Sequence, residues 1–182
     1  MTTCFTDLQM APSRGMVKGM SDTLTPGSLA PAFSGVAVGG PYGEGTPVSS
    51  TDFNGQTVVL YFYPKDDTPG CTAQACALRD HYGHFLKTGA KIFGVSVDSP
   101  ESHLKFIAKH ELPFPLISDE GKKIVQDFGV WGEKSFAGKT FMGTERSTFV
   151  VGPDGRIKSV FRKVKPEEHT DTLIEDLRHF EP

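Results

Sequence analysis

Cys71 and Cys76 stand five residues apart in a chain of 182 residues that holds only three cysteines. A cysteine does chemistry as its thiolate, which attacks O–O and S–S bonds, so the surroundings that favour the charged form matter first. The residues just ahead supply them. Val58-Val59-Leu60-Tyr61-Phe62-Tyr63 is a run of β-branched and aromatic residues that reads as a strand buried on both faces. Pro64 stops it, and Lys65-Asp66-Asp67-Thr68-Pro69-Gly70 is a turn-forming loop. From Cys71 onward, CTAQACALRDHY holds good helix formers with no Gly or Pro before Gly83. Cys71 therefore falls in the first turn of a helix, where unpaired N–H groups and the helix dipole favour a thiolate. Thr68, three residues upstream, is placed to donate its hydroxyl to the sulfur or to a bound oxygen.

The second cysteine meets a geometric obstacle. In a helix, positions i and i+5 differ by ~140° in azimuth and ~7.5 Å in rise, which sets their Cα atoms roughly 8–9 Å apart. A disulfide needs them within about 7 Å. The pair can close only if the helix unwinds locally. Free cysteines are ordinarily inert core residues, but the loop between a buried strand and a helix is where open α/β sheets carry their sites. Zinc is disfavoured, because the spacing is not C-x₂-C and no His/Cys cluster completes four ligands. The six histidines, His81, His84, His103, His110, His169 and His179, are scattered and form no ligand set with the cysteines.

Pro64-x-x-x-Thr68-x-x-Cys71 resembles the peroxiredoxin active-site motif. The longer stretch FYPKDDTPGCTAQACALRD is similar to the peroxiredoxin Q group, also called bacterioferritin comigratory proteins or thioredoxin-dependent thiol peroxidases. The resemblance continues through FGVWGEK, which begins at Phe128, and RSTFVV, which begins at Arg146, and covers roughly residues 25–180. It implies a thiol peroxidase in which Cys71 attacks the peroxide and becomes a sulfenic acid. By the same resemblance Cys76 is the resolving thiol of an intramolecular disulfide, the atypical two-cysteine arrangement.

Charge builds on the leaving oxygen of an O–O displacement, so fixed donors aimed at the two oxygens lower the barrier. The candidates are Thr68, the N–H groups of Gly70 and Cys71, and Arg146. An Arg before a strand reads by itself as a solvated rim charge; the match of RSTFVV is what makes Arg146 a candidate, and a guanidinium beside Cys71 would favour the thiolate. Pro64, in itself a strand terminator, would wall the pocket by the same resemblance. Gln74 would support the site, against a plain reading as a solvated helix position. Thioredoxin, or glutaredoxin in its place, would reduce the disulfide by thiol–disulfide exchange. No metal, haem or flavin cofactor is implied, and the group favours a monomer. Hydrogen peroxide, alkyl and lipid hydroperoxides all remain open as substrates.

Two other readings compete. A general thiol–disulfide oxidoreductase on a thioredoxin-like fold would carry C-x₂-C, which bridges with little distortion, and this chain has none. A redox-sensing binding module could use the same two cysteines without turnover. Composition excludes further classes. At 37% hydrophobic and 23% charged residues the chain suits an ordinary globular domain. A net charge of −3 suggests neither a nucleic-acid nor a membrane surface. Three unevenly placed cysteines are too few for a secreted disulfide scaffold, which favours a reducing, cytoplasmic setting.

The elements that must position these residues follow from the rest of the chain. Residues 1–24 hold Met1, Met10, Met16 and Met20, with no periodicity and no apolar signal core. They read as a disordered tail, or as a short organellar targeting segment, and Cys4 within them has no assigned role. Residues 25–182 read as one domain. Residues 25–47, rich in Gly and Pro, suggest short edge strands and turns, and 48–55 a helical turn. Residues 91–98 form a second apolar strand. Ser99-Pro100-Glu101 then caps a helix with Leu104, Ile107 and Ala108 inward, ending before Pro113. A short strand at 115–118, a helix at 119–128 and a loop at 129–144 come next. Strands at 148–151 and 156–161 flank the turn Pro153-Asp154-Gly155, and a helix over 166–180 turns Leu173, Ile174 and Leu177 inward. Alternating βα units followed by a hairpin and a last helix give an α/β fold, a mixed central sheet with helices on both faces. That order agrees with the thioredoxin-like fold the resemblance implies.

Overall fold

The structure is a computed structural model that describes residues 23–180. Its first half runs β1 (Ser34–Val38), β2 (Thr46–Ser49), β3 (Val58–Phe62), α1 (Pro69–Asp80), α2 (Tyr82–Thr88), β4 (Lys91–Ser96) and α3 (Pro100–His110). The second half adds β5 (Leu116–Ser118), α4 (Lys123–Asp127), β6 (Trp131–Phe136), β7 (Lys139–Thr144), β8 (Ser147–Val151), β9 (Ile157–Phe161) and α5 (His169–Arg178). Seven strands form one sheet in the order β2-β1-β5-β4-β3-β8-β9. The pairs β3/β4 and β4/β5 are parallel, and the others antiparallel.

The strand before Cys71 lies inside this sheet, and all five of its residues are buried. Period-two alternation explains why it shows no polar face. Val59 and Tyr61, with Tyr63 beyond the strand's end, pack into a core with Leu78 of α1, Phe85 of α2, Phe106 of α3 and Leu173 of α5. Val58, Leu60 and Phe62 pack into the other core, with Phe53, Phe93, Ile124, Phe128 and Phe149. Each large side chain buried this way contributes about 1.5–3 kcal/mol against exposure. The result is the thioredoxin-like α/β arrangement expected, with a mixed sheet covered on both faces.

Several local expectations change. The presumed loop over 129–144 is a two-stranded hairpin, β6 with β7, standing apart from the main sheet. Its turn residues Ala137 and Gly138 have φ of 51° and 77°, the positive values of a tight hairpin turn. The helix begun near Cys71 breaks at His81, and α2 follows through Gly83 to Gly89, whose φ of 72° closes it. On α3 the residues wholly inside are His103 and Phe106, while Leu104 and Ile107 are half-buried and Ala108 is exposed. The turn expected over 48–55 divides into the end of β2 and a 3-10 turn at Ser50–Phe53. Helix α4 is shorter than expected, because Asp119 caps it from outside by accepting from the N–H groups of Lys123 and Val125. Leu173, Ile174 and Leu177 face inward as expected.

Leu24 packs on the second core, one residue ahead of the expected domain start. The expectations for residues 1–22, including Cys4, lie outside the described residues. No helix among the described residues is long and apolar enough to cross a membrane.

Candidate active site

The sheet register brings distant sequence together at the end of β3. Because β3 and β8 run antiparallel with Phe62 opposite Ser147, Arg146 enters the sheet beside Tyr63, where the chain turns into the loop before α1. Thr68 is the N-cap residue of α1 and Pro69 opens the helix, the position where its missing N–H costs nothing. Cys71 thus lies in the first turn, as the sequence indicated, and is only 2% exposed.

Arg146 reaches across and binds two side chains of α1. Its Nη2 donates to Cys71 Sγ at 3.3 Å, and its Nη1 donates to Gln74 Oε1 at 2.6 Å. Cys71 and Gln74 are three residues apart and so share a helix face, which lets one rigid guanidinium fork engage both. Gln74 is fully buried, which overturns its plain reading as a solvated position. The contact sets a fixed positive charge directly against the sulfur. Gly70 makes the approach possible, since a Cβ there would stand 3.2 Å from Arg146 Nη2 and 3.5 Å from Pro166 Cγ.

Thr68 departs from expectation. Its hydroxyl donates to the carbonyl oxygen of Lys65 at 3.1 Å and not to the sulfur. With the proton so used, the oxygen's lone pairs remain to accept. Pro64 is half-buried at the mouth of the same loop.

Cys76 sits five residues further along the unbroken helix and is half-buried, whereas Cys71 is buried; both are free thiols. Their separation on an intact helix is the roughly 8–9 Å derived above.

Two neighbours of Arg146 carry no signal in the sequence. His169, at the start of α5, is buried with Nε2 2.8 Å from Thr148 Oγ1. Burial and, secondarily, the positive charge of Arg146 push its pKa down to about 4. Lys134, on β6, is half-buried, and its pKa is lowered first by burial and then by Arg146. Among the described residues no three His, Cys, Asp or Glu side chains gather as a metal set.

Comparison with known proteins agrees with this geometry. The AhpC/TSA family pattern matches residues 26–160. Peroxiredoxin Bcp of Escherichia coli (strain K12) is 45% identical over 155 residues, 85% of this chain and 96% of that protein. Peroxiredoxin Bcp of Bacillus subtilis (strain 168) is 46% identical over 135 residues, 74% of this chain and 86% of that one. A Xanthomonas campestris bacterioferritin comigratory protein, solved in trapped intermediate and ligand complexes of its alkyl peroxide reduction, matches with a TM-score of 0.75 and 38% identity, over 82% of this chain and 92% of that one. The chain therefore belongs to the AhpC/TSA family and is a thiol peroxidase of the peroxiredoxin kind.

Proposed function

We propose that the chain reduces hydrogen peroxide and organic hydroperoxides through Cys71, with Cys76 as resolving thiol and thioredoxin as the external reductant. The observation that carries this reading is the contact of Arg146 with both Cys71 and Gln74. The Cys71 thiolate attacks one peroxide oxygen, an S–O bond forms, the O–O bond breaks, and water or an alcohol leaves once the departing oxygen takes a proton. Arg146 and the N–H groups of Gly70 and Cys71 stabilise charge on the oxygens, while the Thr68 oxygen accepts a hydrogen bond from the hydroperoxide O–H. Gln74 holds the guanidinium in place, and Pro64 walls the pocket.

Cys76 then condenses with the sulfenic acid, giving a Cys71–Cys76 disulfide and water. The first turns of α1 unwind to let the sulfurs meet, at a cost of a few helical hydrogen bonds, about 1 kcal/mol net each. The same opening presents the disulfide to thioredoxin, or to glutaredoxin, for exchange. No metal, haem or flavin takes part in this scheme, and the protein works as a monomer in the cytoplasm.

NADPH-coupled peroxide consumption with thioredoxin and thioredoxin reductase, on wild type, Cys71→Ser and Cys76→Ser, tests the scheme. Turnover is expected in wild type only. Full turnover in Cys76→Ser with thioredoxin overturns the two-cysteine cycle, and insulin reduction without peroxide consumption favours the general oxidoreductase.

A further inference from the structure

The loop that leads to Cys71 is fastened from an unexpected direction. Asp66 is 7% exposed, and its carboxylate accepts three hydrogen bonds: from Tyr63 Oη at 2.6 Å, from Ser102 Oγ at 2.7 Å and from His103 Nδ1 at 2.8 Å. Its backbone N–H donates to Asp98 Oδ2 at 2.9 Å, and Ser96 Oγ donates to the same oxygen at 2.6 Å. His103 is fully buried, with Nε2 3.3 Å from the carbonyl oxygen of Ile117. A buried carboxylate so fully satisfied is rigid, because losing any donor leaves a charge short of its partners.

A second set of contacts reaches the same helix. Asp67, held at a φ of 54°, binds Lys109 Nζ at 2.6 Å and His110 Nε2 at 3.0 Å. Arg79, near the far end of α1, donates to the carbonyl oxygen of His110 at 2.8 Å. Helix α3 therefore grips the chain on both sides of the cysteines, at Asp66 and Asp67 before them and at Arg79 after them. The exposed contacts at Asp67 are weak individually; the buried one at Asp66 is not.

We propose that Asp66, held by His103 and Ser102, is a positioning residue: it fixes the 64–67 loop so that Thr68, Gly70 and Cys71 stand correctly over the peroxide, and it confines the unwinding needed for disulfide formation to the chain between Thr68 and Leu78. This inference rests on the peroxidase reading. Melting that began upstream of Asp66 would carry Pro64 and Thr68 away and force the pocket to be rebuilt at each cycle. Melting that starts at Thr68 leaves the template in place.

The test compares wild type with His103→Leu, Asp66→Asn and His103→Asn, the last of which keeps an amide donor near the place of Nδ1. Two quantities are read on folded protein: the single-turnover rate of Cys71 oxidation, and the amides that gain hydrogen exchange on oxidation. His103→Leu and Asp66→Asn are expected to slow Cys71 oxidation by about tenfold or more through lost orientation. They should also extend the exchange gain into residues 65–67, while His103→Asn recovers most of both. A merely structural role lowers the thermal midpoint but leaves the rate per folded molecule and the exchange boundary unchanged, and that result overturns the proposal. Should His103→Leu not fold, Asp66→Asn and Ser102→Ala carry the same comparison. A wild-type protein whose Cys71 ignores peroxide overturns the peroxidase reading itself, whereas a reactive wild type with equally reactive variants overturns the positioning role alone.

Discussion

Arg146 and Cys71 are 75 residues apart in the chain, yet the guanidinium Nη2 lies 3.3 Å from the sulfur. The antiparallel register of β3 and β8 makes this inevitable, because it sets Arg146 beside the strand end from which the cysteine loop departs. The second nitrogen, on Gln74, fixes the plane of the fork. Arg146→Lys keeps the charge and loses that fork, so Cys71 oxidation should slow by about tenfold or more. Stopped-flow oxidation at wild-type rate in a folded variant would return Arg146 to the role of a rim charge.

Gln74→Leu isolates the fork from the charge. It removes the acceptor for Nη1 while preserving volume and helix propensity, and leaves a half-buried guanidinium N–H without its partner, a cost of about 1 kcal/mol. The oxidation rate of Cys71 should fall, though by less than in Arg146→Lys. An unchanged rate shows that Arg146 needs no support from α1.

The strand, loop and helix around Cys71 were legible because each has a local cause: a continuous apolar run, Pro and Gly at the turns, helix formers after Cys71. The roles of Thr68, Arg146 and Gln74 came from likeness to a motif, and their contacts depend on sheet register, which local patterns do not encode. The β6–β7 hairpin carries no strand signal in the sequence, because Gly132, Gly143 and the polar residues between them break the apolar alternation that marks a half-buried strand. The exposure of Phe136, Phe141 and Met142 shows how little of it is buried. His103 stands in the sequence as one of six scattered histidines. A histidine wholly inside a helix face, preceded by Ser102 and answered by Asp66, announces itself only in three dimensions.

His169 predicts a pH dependence of stability. Its folded pKa of about 4 lies below the ordinary value of 6.5. The unfolded chain therefore binds the proton more readily between those values. Its contribution is complete above about pH 6.5 and is lost as pH falls towards 4, on the order of 3 kcal/mol over the full span. Denaturant titrations of wild type and His169→Gln from pH 7 to about pH 4 should converge as pH falls. Parallel curves contradict the burial of a neutral imidazole beside Arg146.

Gly94 gives a packing prediction. A Cβ there would stand 2.6 Å from both Tyr61 Oη and Leu116 Cδ2, inside the core. Gly94→Ala should cost about 1–3 kcal/mol by overpacking, seen as a drop of several degrees in thermal midpoint. A neutral result means that Tyr61 has room to move.

The central claim is that Cys71 takes the oxygen and Cys76 resolves it. Mass spectrometry of peptides after one equivalent of peroxide measures this most directly, on wild type and on Cys76→Ser. Wild type should lose two hydrogens, with Cys71 and Cys76 joined in one disulfide. Cys76→Ser should instead gain one oxygen on Cys71, and further oxygen under excess peroxide. Oxygen found first on Cys76, or a Cys71 left unmodified in both proteins, would contradict the account.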